Sequence, residues 1–242
     1  MADFSGFDTP HDEGAIWRDS LRDCSIFTSH LYDNCVGAYH AFDGLPKLVE
    51  GLRLLSINAG LVSARAGDYG RSVRVLTNFA TESVTRLQQA LPRMLMLKRD
   101  TYEISGGIMR AINDIDKIEA AGTLILRGQG GQSAALTAMG RAWRVRIRAI
   151  GDAANGLRRT NDQFAAMVKL AREVMLQTEL IAANIAIEAT DAGPWEVELT
   201  TIADTIRAQM EDLRRMVDEA GRNLRNATET IVALASLGSR GQ

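Results

Sequence analysis

The chain has 242 residues, 46% of them apolar and 24% charged, the composition of a folded chain with a core rather than of a disordered tail or a disulfide-stapled peptide. Only 5% of the residues are aromatic and four are proline, while Ala, Leu, Arg and Met abound, which favours long helices over a sheet-rich fold. Lys and Arg (28) nearly balance Asp and Glu (30), for a net charge of −2, so no overall field draws in a nucleic acid.

Residues 1–14 read as a polar, acidic tail without the basic and then apolar pattern of a signal peptide, and no run reaches the 18 or so apolar residues of a membrane span. Two cysteines, Cys24 and Cys35, cannot build a disulfide framework, so a reducing, cytoplasmic setting is expected.

The first helix is expected over roughly 15–66. From Phe27 an alternating four- and three-residue spacing runs through Leu31, Asn34, Ala38, Ala41, Leu45, Leu48, Leu52, Leu55, Ala59, Val62 and Ala66, the seam of a helix in a bundle or coiled coil. Gly44 and Pro46 fall within it without shifting its phase, which predicts a kink or short interruption that keeps the helix direction. Gly67-Asp68-Tyr69-Gly70 then marks a turn. A second helix is expected over 70–121 on the seam Leu76, Ala80, Ser83, Leu87, Ala90, Met94 and Leu97, weakened by Pro92 and by Gly106-Gly107. The Gly-rich stretch 122–132 reads as a flexible link, because Arg127 to Ser133 lacks the Gly-Lys-Ser/Thr ending of a phosphate-binding loop.

A third helix, 133–192, follows Phe164, Val168, Ala171, Met175, Thr178, Ala182, Ile185 and Ala189. Gly193 then Pro194 suits one helix ending and another beginning. The fourth helix, 195–236, follows Leu213, Val217, Ala220, Leu224, Ala227, Ile231 and Leu234, and 237–242 reads as a flexible end. The domain plan is therefore two helical hairpins, 15–121 with its tip near 67–70 and 133–236 with its tip near 191–195. A fifty-residue helix would be about 75 Å long.

The two hairpins repeat one another. An offset of 126 positions places Leu54 to Leu61 over Leu180 to Ile187, with Asn58 on Asn184, and Ala66-Gly67 on Ala192-Gly193. Matched apolar registers could arise by chance; the shared Asn and the shared Ala-Gly turn point to an internal duplication.

These segments carry a resemblance. LLSINAGLVSARAGDYGRSV (Leu54 to Val73) and QTELIAANIAIEATDAGPWEVEL (Gln177 to Leu199) both resemble, without gaps, the hairpin tip of the cytoplasmic signalling domain of bacterial methyl-accepting chemotaxis receptors. The first copy keeps the turn, with Arg65, Ala66, Gly67, Gly70 and Arg71, has Asp68 in place of Glu, and puts Val62 where that family has a glutamate and Arg53 where it has an asparagine. The second keeps the approach, with Gln177, Thr178, Asn184, Ala186, Ile187 and Glu188, and Arg207 on the return; Asp191 replaces the arginine and Pro194-Trp195-Glu196 replaces the Glu-x-Gly run. The resemblance covers the centre of each hairpin and implies an all-α, elongated, antiparallel four-helix bundle in which two fused hairpins form a pseudo-dimer. One hairpin alone leaves an apolar seam in water, and a tethered second hairpin covers it.

It further implies a non-enzymatic chemosensory signalling protein whose tip meets a histidine kinase, a coupling protein or receptor tips. The tip residues are Asn58, Arg65, Asp68, Tyr69, Arg71, Asn184, Glu188, Trp195 and Arg207. Each has a plain alternative: buried register-setting for the asparagines, solvated charge for Arg65, Arg71 and Glu188, and folding back over their own turns for Tyr69 and Trp195, which occupy equivalent positions. Gln88-Gln89 and Glu211-Asp212 lack persuasive flanks for methylation. No cofactor is implied. His30, Cys35 and His40, with Cys24, are spaced so as to scatter around a helix rather than form a metal site. The alternatives are a scaffolding coiled coil unrelated to chemotaxis, or a helical ligand or metal sensor with its pocket between Trp17 and His40.

Overall fold

Helices run where the four- and three-residue spacing runs, and turns fall where Gly and Pro interrupt it, so the chain is all-α. The computed structural model describes residues 29–127 and 133–240. Among the described residues, helix α1 covers 29–40, and it is followed by α2 (Leu45–Arg65), α3 (Arg71–Arg127), α4 (Ser133–Thr190), a short 3₁₀ turn at Gly193–Trp195, and α5 (Glu196–Arg240). The expected N-terminal tail, the start of the first helix with Trp17 and Cys24, and positions 128–132 of the Gly-rich link lie outside the described residues.

The interruption at Gly44 and Pro46 is a tight turn over 41–44. Phe42 N–H donates to Tyr39 O at 3.1 Å, Asp43 N–H to His40 O at 3.0 Å and Leu45 N–H to Phe42 O at 3.0 Å, so the chain narrows for one turn without losing its hydrogen bonds. Pro46 then sits in the first turn of α2, where its missing N–H costs nothing. The second helix, α3, continues through Pro92 and Gly106-Gly107, as the expected span of 70–121 requires, but it runs on to Arg127, into the stretch read as a flexible link. Proline inside a helix forfeits about 3 kcal/mol, and the buried Leu87, Ala90, Met94 and Leu97 around it hold the helix through that loss. At the other end, α5 extends to Arg240, beyond the expected 236.

The helices contribute to two compact units that cut across the hairpins. The turn unit comprises Cys35–Asp100 and Thr160–Arg225. Its core draws on four helical stretches at once: Leu45, Leu48 and Leu52 from α2; Val84, Leu87 and Met94 from α3; Phe164, Ala171 and Ile185 from α4; and Met210, Leu213 and Val217 from α5. Glycines set the spacing on one side. A Cβ at Gly37, Gly44 or Gly51 would lie 3.0 Å from Asn223 Nδ2, 2.8 Å from Met216 Cε and 2.9 Å from Gln209 Nε2 respectively. The glycines climb by seven while their neighbours descend by seven, the signature of an antiparallel heptad register.

The second unit is centred on Thr101–Arg159, with the chain before Cys35 and after Arg225. Leu31, Ile108, Ile115, Ile150 and Leu157 form its buried set. Tyr32 and Tyr102 meet at a tilt of 59° with ring centroids 6.1 Å apart, and Arg146 Nε donates to Asp114 at 2.9 Å.

Burial in the turn unit carries the sequence repeat. The pairs Leu48/Val174, Leu52/Thr178, Ser56/Ala182, Ala59/Ile185, Ser63/Ala189, Ala66/Ala192 and Val73/Leu199, each related by the 126-residue offset, are buried at both members. The two glycines with positive φ, Gly67 (58°) and Gly193 (56°), are related by the same offset.

Cys35 lies inside this core, and burial pushes its thiol up to about 12 from an ordinary value of 9.0. The folded thiol therefore stays protonated where the unfolded one ionises, so its contribution is intact below pH about 9 and is lost as pH rises toward about 12. Urea midpoints are expected to fall more steeply between pH about 8 and about 10.5 in the wild type than in Cys35→Ala; equal slopes would show that the thiol does not titrate differently on folding.

Candidate functional site

The antiparallel register puts both turns at one end of the turn unit. Continued from Gly51 and Gln209, it sets Arg65 level with Trp195. On the other side, Arg86 on α3 reaches Gln177 on α4 at 3.0 Å, and continuing that pairing brings Gly70 level with the end of α4.

The two turns are built differently. In the first, Ala66 N–H donates to Val62 O at 2.9 Å, and Tyr69, Gly70 and Arg71 donate three residues back, at 3.2, 3.2 and 3.3 Å. Gly67 supplies the left-handed backbone. The second turns through Ala192 N–H to Ala189 O (3.1 Å) and Trp195 N–H to Ala192 O (3.2 Å), with Pro194 opening the 3₁₀ segment.

This difference separates Tyr69 from Trp195. Tyr69 is 57% exposed, whereas Trp195 is half-buried and packs against the core. Arg65 is exposed at the end of α2, and Asp68 and Arg71 form an exposed pair at 2.9 Å. Glu188 is half-buried at the end of α4. Arg207 stands three turns into α5, bonded to Asp204 at 2.8 Å. Asn58 is exposed and Asn184 half-buried; they lie on different helices, and neither forms part of the buried core that sets register.

Several side chains near the turns are apolar and face outward, out of phase with the core seam. Leu54, Ile57 and Leu61 on α2 and Leu176, Leu180 and Ile187 on α4 are exposed, as are Val75 and Phe79 on α3 and Val197 on α5. Leu54 matches Leu180 and Leu61 matches Ile187 at the repeat offset, and these pairs flank Asn58 and Asn184. The seam residues were legible as core; these were legible only as apolar residues left over from it.

Between α3 and α4 lies a groove of about 310 Å³ lined by Phe79, Glu82, Ser83, Arg86, Gln177, Leu180 and Ile181. Arg86 bonds to Gln177 and lies 3.8 Å from Glu173. The equivalent space between α5 and α2 is occupied: Gln209 stands where the repeat has Ser83, packed on Gly51. The hairpins therefore present unlike sides.

The residues considered for a metal are dispersed. Cys35 is buried, His30 is exposed, and His40 Nδ1 lies 2.6 Å from Asp43. Its hydrogen bond to His40 is the main reason the Asp43 carboxyl is held below its ordinary range, with Lys98 contributing. Among the described residues, no three His, Cys, Asp or Glu side chains cluster to hold a metal, and no helix is long and apolar enough to cross a membrane. Comparison with protein-family models, with curated proteins and with solved structures finds no match for the chain.

Proposed function

We propose that the chain is a cytoplasmic, chemoreceptor-like signalling protein. Two fused hairpins pack as an antiparallel four-helix bundle, a pseudo-dimer in one polypeptide, and the end that carries the turns meets a chemotaxis histidine kinase, its coupling protein or receptor tips. The observation that carries this reading is the pair of repeated outward apolar positions, Leu54/Leu180 and Leu61/Ile187, beside Asn58 and Asn184. The core of this region is complete without them, and apolar side chains left in water at the same repeated positions on each of the two helices mark surfaces that partners cover.

The activity is binding rather than chemistry. A tip that retains some receptor contacts and lacks others takes a place beside receptors and biases a kinase only to the extent that it prefers one kinase state over another. The open α3–α4 groove with Phe79 at its rim gives one flank a recess for a partner side chain, and Gln209 fills its counterpart.

Light scattering and pull-down of the full chain with a purified chemotaxis kinase and coupling protein test this. Wild type is expected to join the complex, and Leu61→Arg with Ile187→Arg to weaken joining tenfold or more, because charge replaces apolar contact at two exposed positions that the fold does not need. A wild-type chain that binds none of these partners would leave a scaffolding coiled coil as the reading.

A further inference from the structure

The two turns carry opposite charge. Positions 62–74 hold Arg65, Arg71 and Arg74 against Asp68, a formal +2; the equivalent positions 188–200 hold Glu188, Asp191, Glu196 and Glu198 and no base, a formal −4. At the equivalent positions of the two hairpins, arginine faces aspartate (65 and 191), and elsewhere one member is charged and the other is not. Two identical hairpins could not be polarised in this way.

Helix capping does not account for the pattern. Acidic residues suit a helix start and basic residues a helix end, which fits Glu196 and Glu198 at the start of α5 and Arg65 at the end of α2. It does not fit Arg71 and Arg74 at the start of α3, where no acid stands, or Glu188 near the end of α4, where no base stands. Each hairpin keeps one sign on both of its helices. Ion pairing within the chain does not consume these charges either: among the described residues only Arg71 is paired, with Asp68, while Arg65, Arg74, Asp191, Glu196 and Glu198 are exposed and unpaired.

We infer that this end docks onto the same end of a second copy of the chain. A face that is basic on one half and acidic on the other is complementary to itself under a two-fold axis running along the boundary between the halves, which lays each arginine-bearing turn on the partner's acidic turn. Tyr69 and Val197, 57% and 75% exposed on the two turns, stand ready to be covered in that contact. The end of four helices offers an area well below the roughly 800 Å² per partner of a stable dimer, so the association is weak and governed by charge. It rests on the placement of the two turns at one end and not on the identity of any signalling partner.

Sedimentation velocity on the purified full chain tests it without kinase or coupling protein, so its outcome is separate from that of the function proposed above. Wild type is expected to self-associate at low ionic strength and to be monomeric in about 1 M salt, where the screening length is about 3 Å. Arg65→Glu with Arg74→Glu makes both halves acidic, and Asp191→Arg with Glu196→Arg and Glu198→Arg makes both basic; each variant alone is expected to be monomeric, and an equimolar mixture to associate. Circular dichroism establishes that both fold, and Arg65→Glu with Arg71→Glu, or Asp191→Lys with Glu196→Lys and Glu198→Lys, replaces a variant that does not. A wild type that is monomeric at low salt, a mixture that stays monomeric, or either variant associating as the wild type does would each overturn the assignment.

Discussion

Replacing Phe164 with alanine is expected to destabilise the turn unit by about 3–5 kcal/mol, the range for removing a large aromatic side chain from a packed core. The ring is fully buried and touches two others from the opposite end of the sequence: Tyr39 at 4.2 Å between centroids and Phe42 at 5.9 Å, edge to face. Aromatic pairs of this kind add about 0.5–1.5 kcal/mol beyond the area they bury. Their position matters as much as their number. Tyr39 lies in the last turn of α1 and Phe42 in the turn over 41–44, so Phe164 is the anchor that holds the interruption against α4 and lets the seam resume in phase at Leu45. A urea titration followed by circular dichroism should show the loss, with Phe164→Leu recovering more than half of it by refilling most of the space. A loss below about 1 kcal/mol would mean that neighbouring side chains collapse into the gap and that the turn is held by other contacts.

The anchor illustrates which features were legible in the sequence. Phe164 opens the third seam, and nearly every seam residue of the described chain proves buried or half-buried, because a spacing of four and three residues is a direct record of which side of a helix meets its neighbours. The Gly44-Pro46 interruption was legible for the same reason: its local chemistry breaks a helix, yet the spacing on either side stays in phase. Pro92 and Gly106-Gly107 offered the same local chemistry, and the helix expected over 70–121 continues through them; packing on both sides of a weak point decides its fate, and a sequence window does not weigh packing. The candidate site was harder. Asn58 and Asn184 are equivalent in the repeat and differ in exposure, and Tyr69 and Trp195 are equivalent and differ in direction, because Gly-Asp-Tyr-Gly and Ala-Gly-Pro-Trp turn the chain differently. Leu54, Leu61, Phe79, Leu180 and Ile187 were visible as apolar residues off the seam, but their exposure depends on how many helices surround each one. The opposite charge of the two turns could be counted from the sequence; that they share one end follows from the register of Gly37, Gly44 and Gly51 against α5.

The first turn is expected to be intolerant of a single methyl group. A Cβ built on Gly70 would lie 2.0 Å from the carbonyl oxygen of Ser63, 2.7 Å from its carbonyl carbon and 2.8 Å from its Cα. All three are backbone atoms in the last turns of α2, and Ser63 is tied further by its hydroxyl, which donates to Ala59 O at 2.6 Å. No side chain can swing aside, so Gly70→Ala must pry α3 away from α2 where Val73 and Ala66 are buried. The cost should exceed the roughly 1–3 kcal/mol of ordinary overpacking. Gly67 offers the internal comparison: its φ of 58° disfavours alanine, but its Cβ would meet nothing within 4 Å, so Gly67→Ala should cost only the roughly 1–2 kcal/mol of a left-handed residue. Gly60, also with open space around it, lies inside α2, and Gly60→Ala should stabilise by up to about 1 kcal/mol. Thermal melts of the three variants should therefore rank Gly70→Ala lowest, Gly67→Ala next and Gly60→Ala at or above wild type. If Gly70→Ala melted with Gly67→Ala, the close approach of α3 to Ser63 would not be what fixes the turn. The equivalent position in the second hairpin is Glu196, which opens α5 after a 3₁₀ segment, so Glu196→Gly should bring no matching gain; its glycine would only loosen the first turn of that helix.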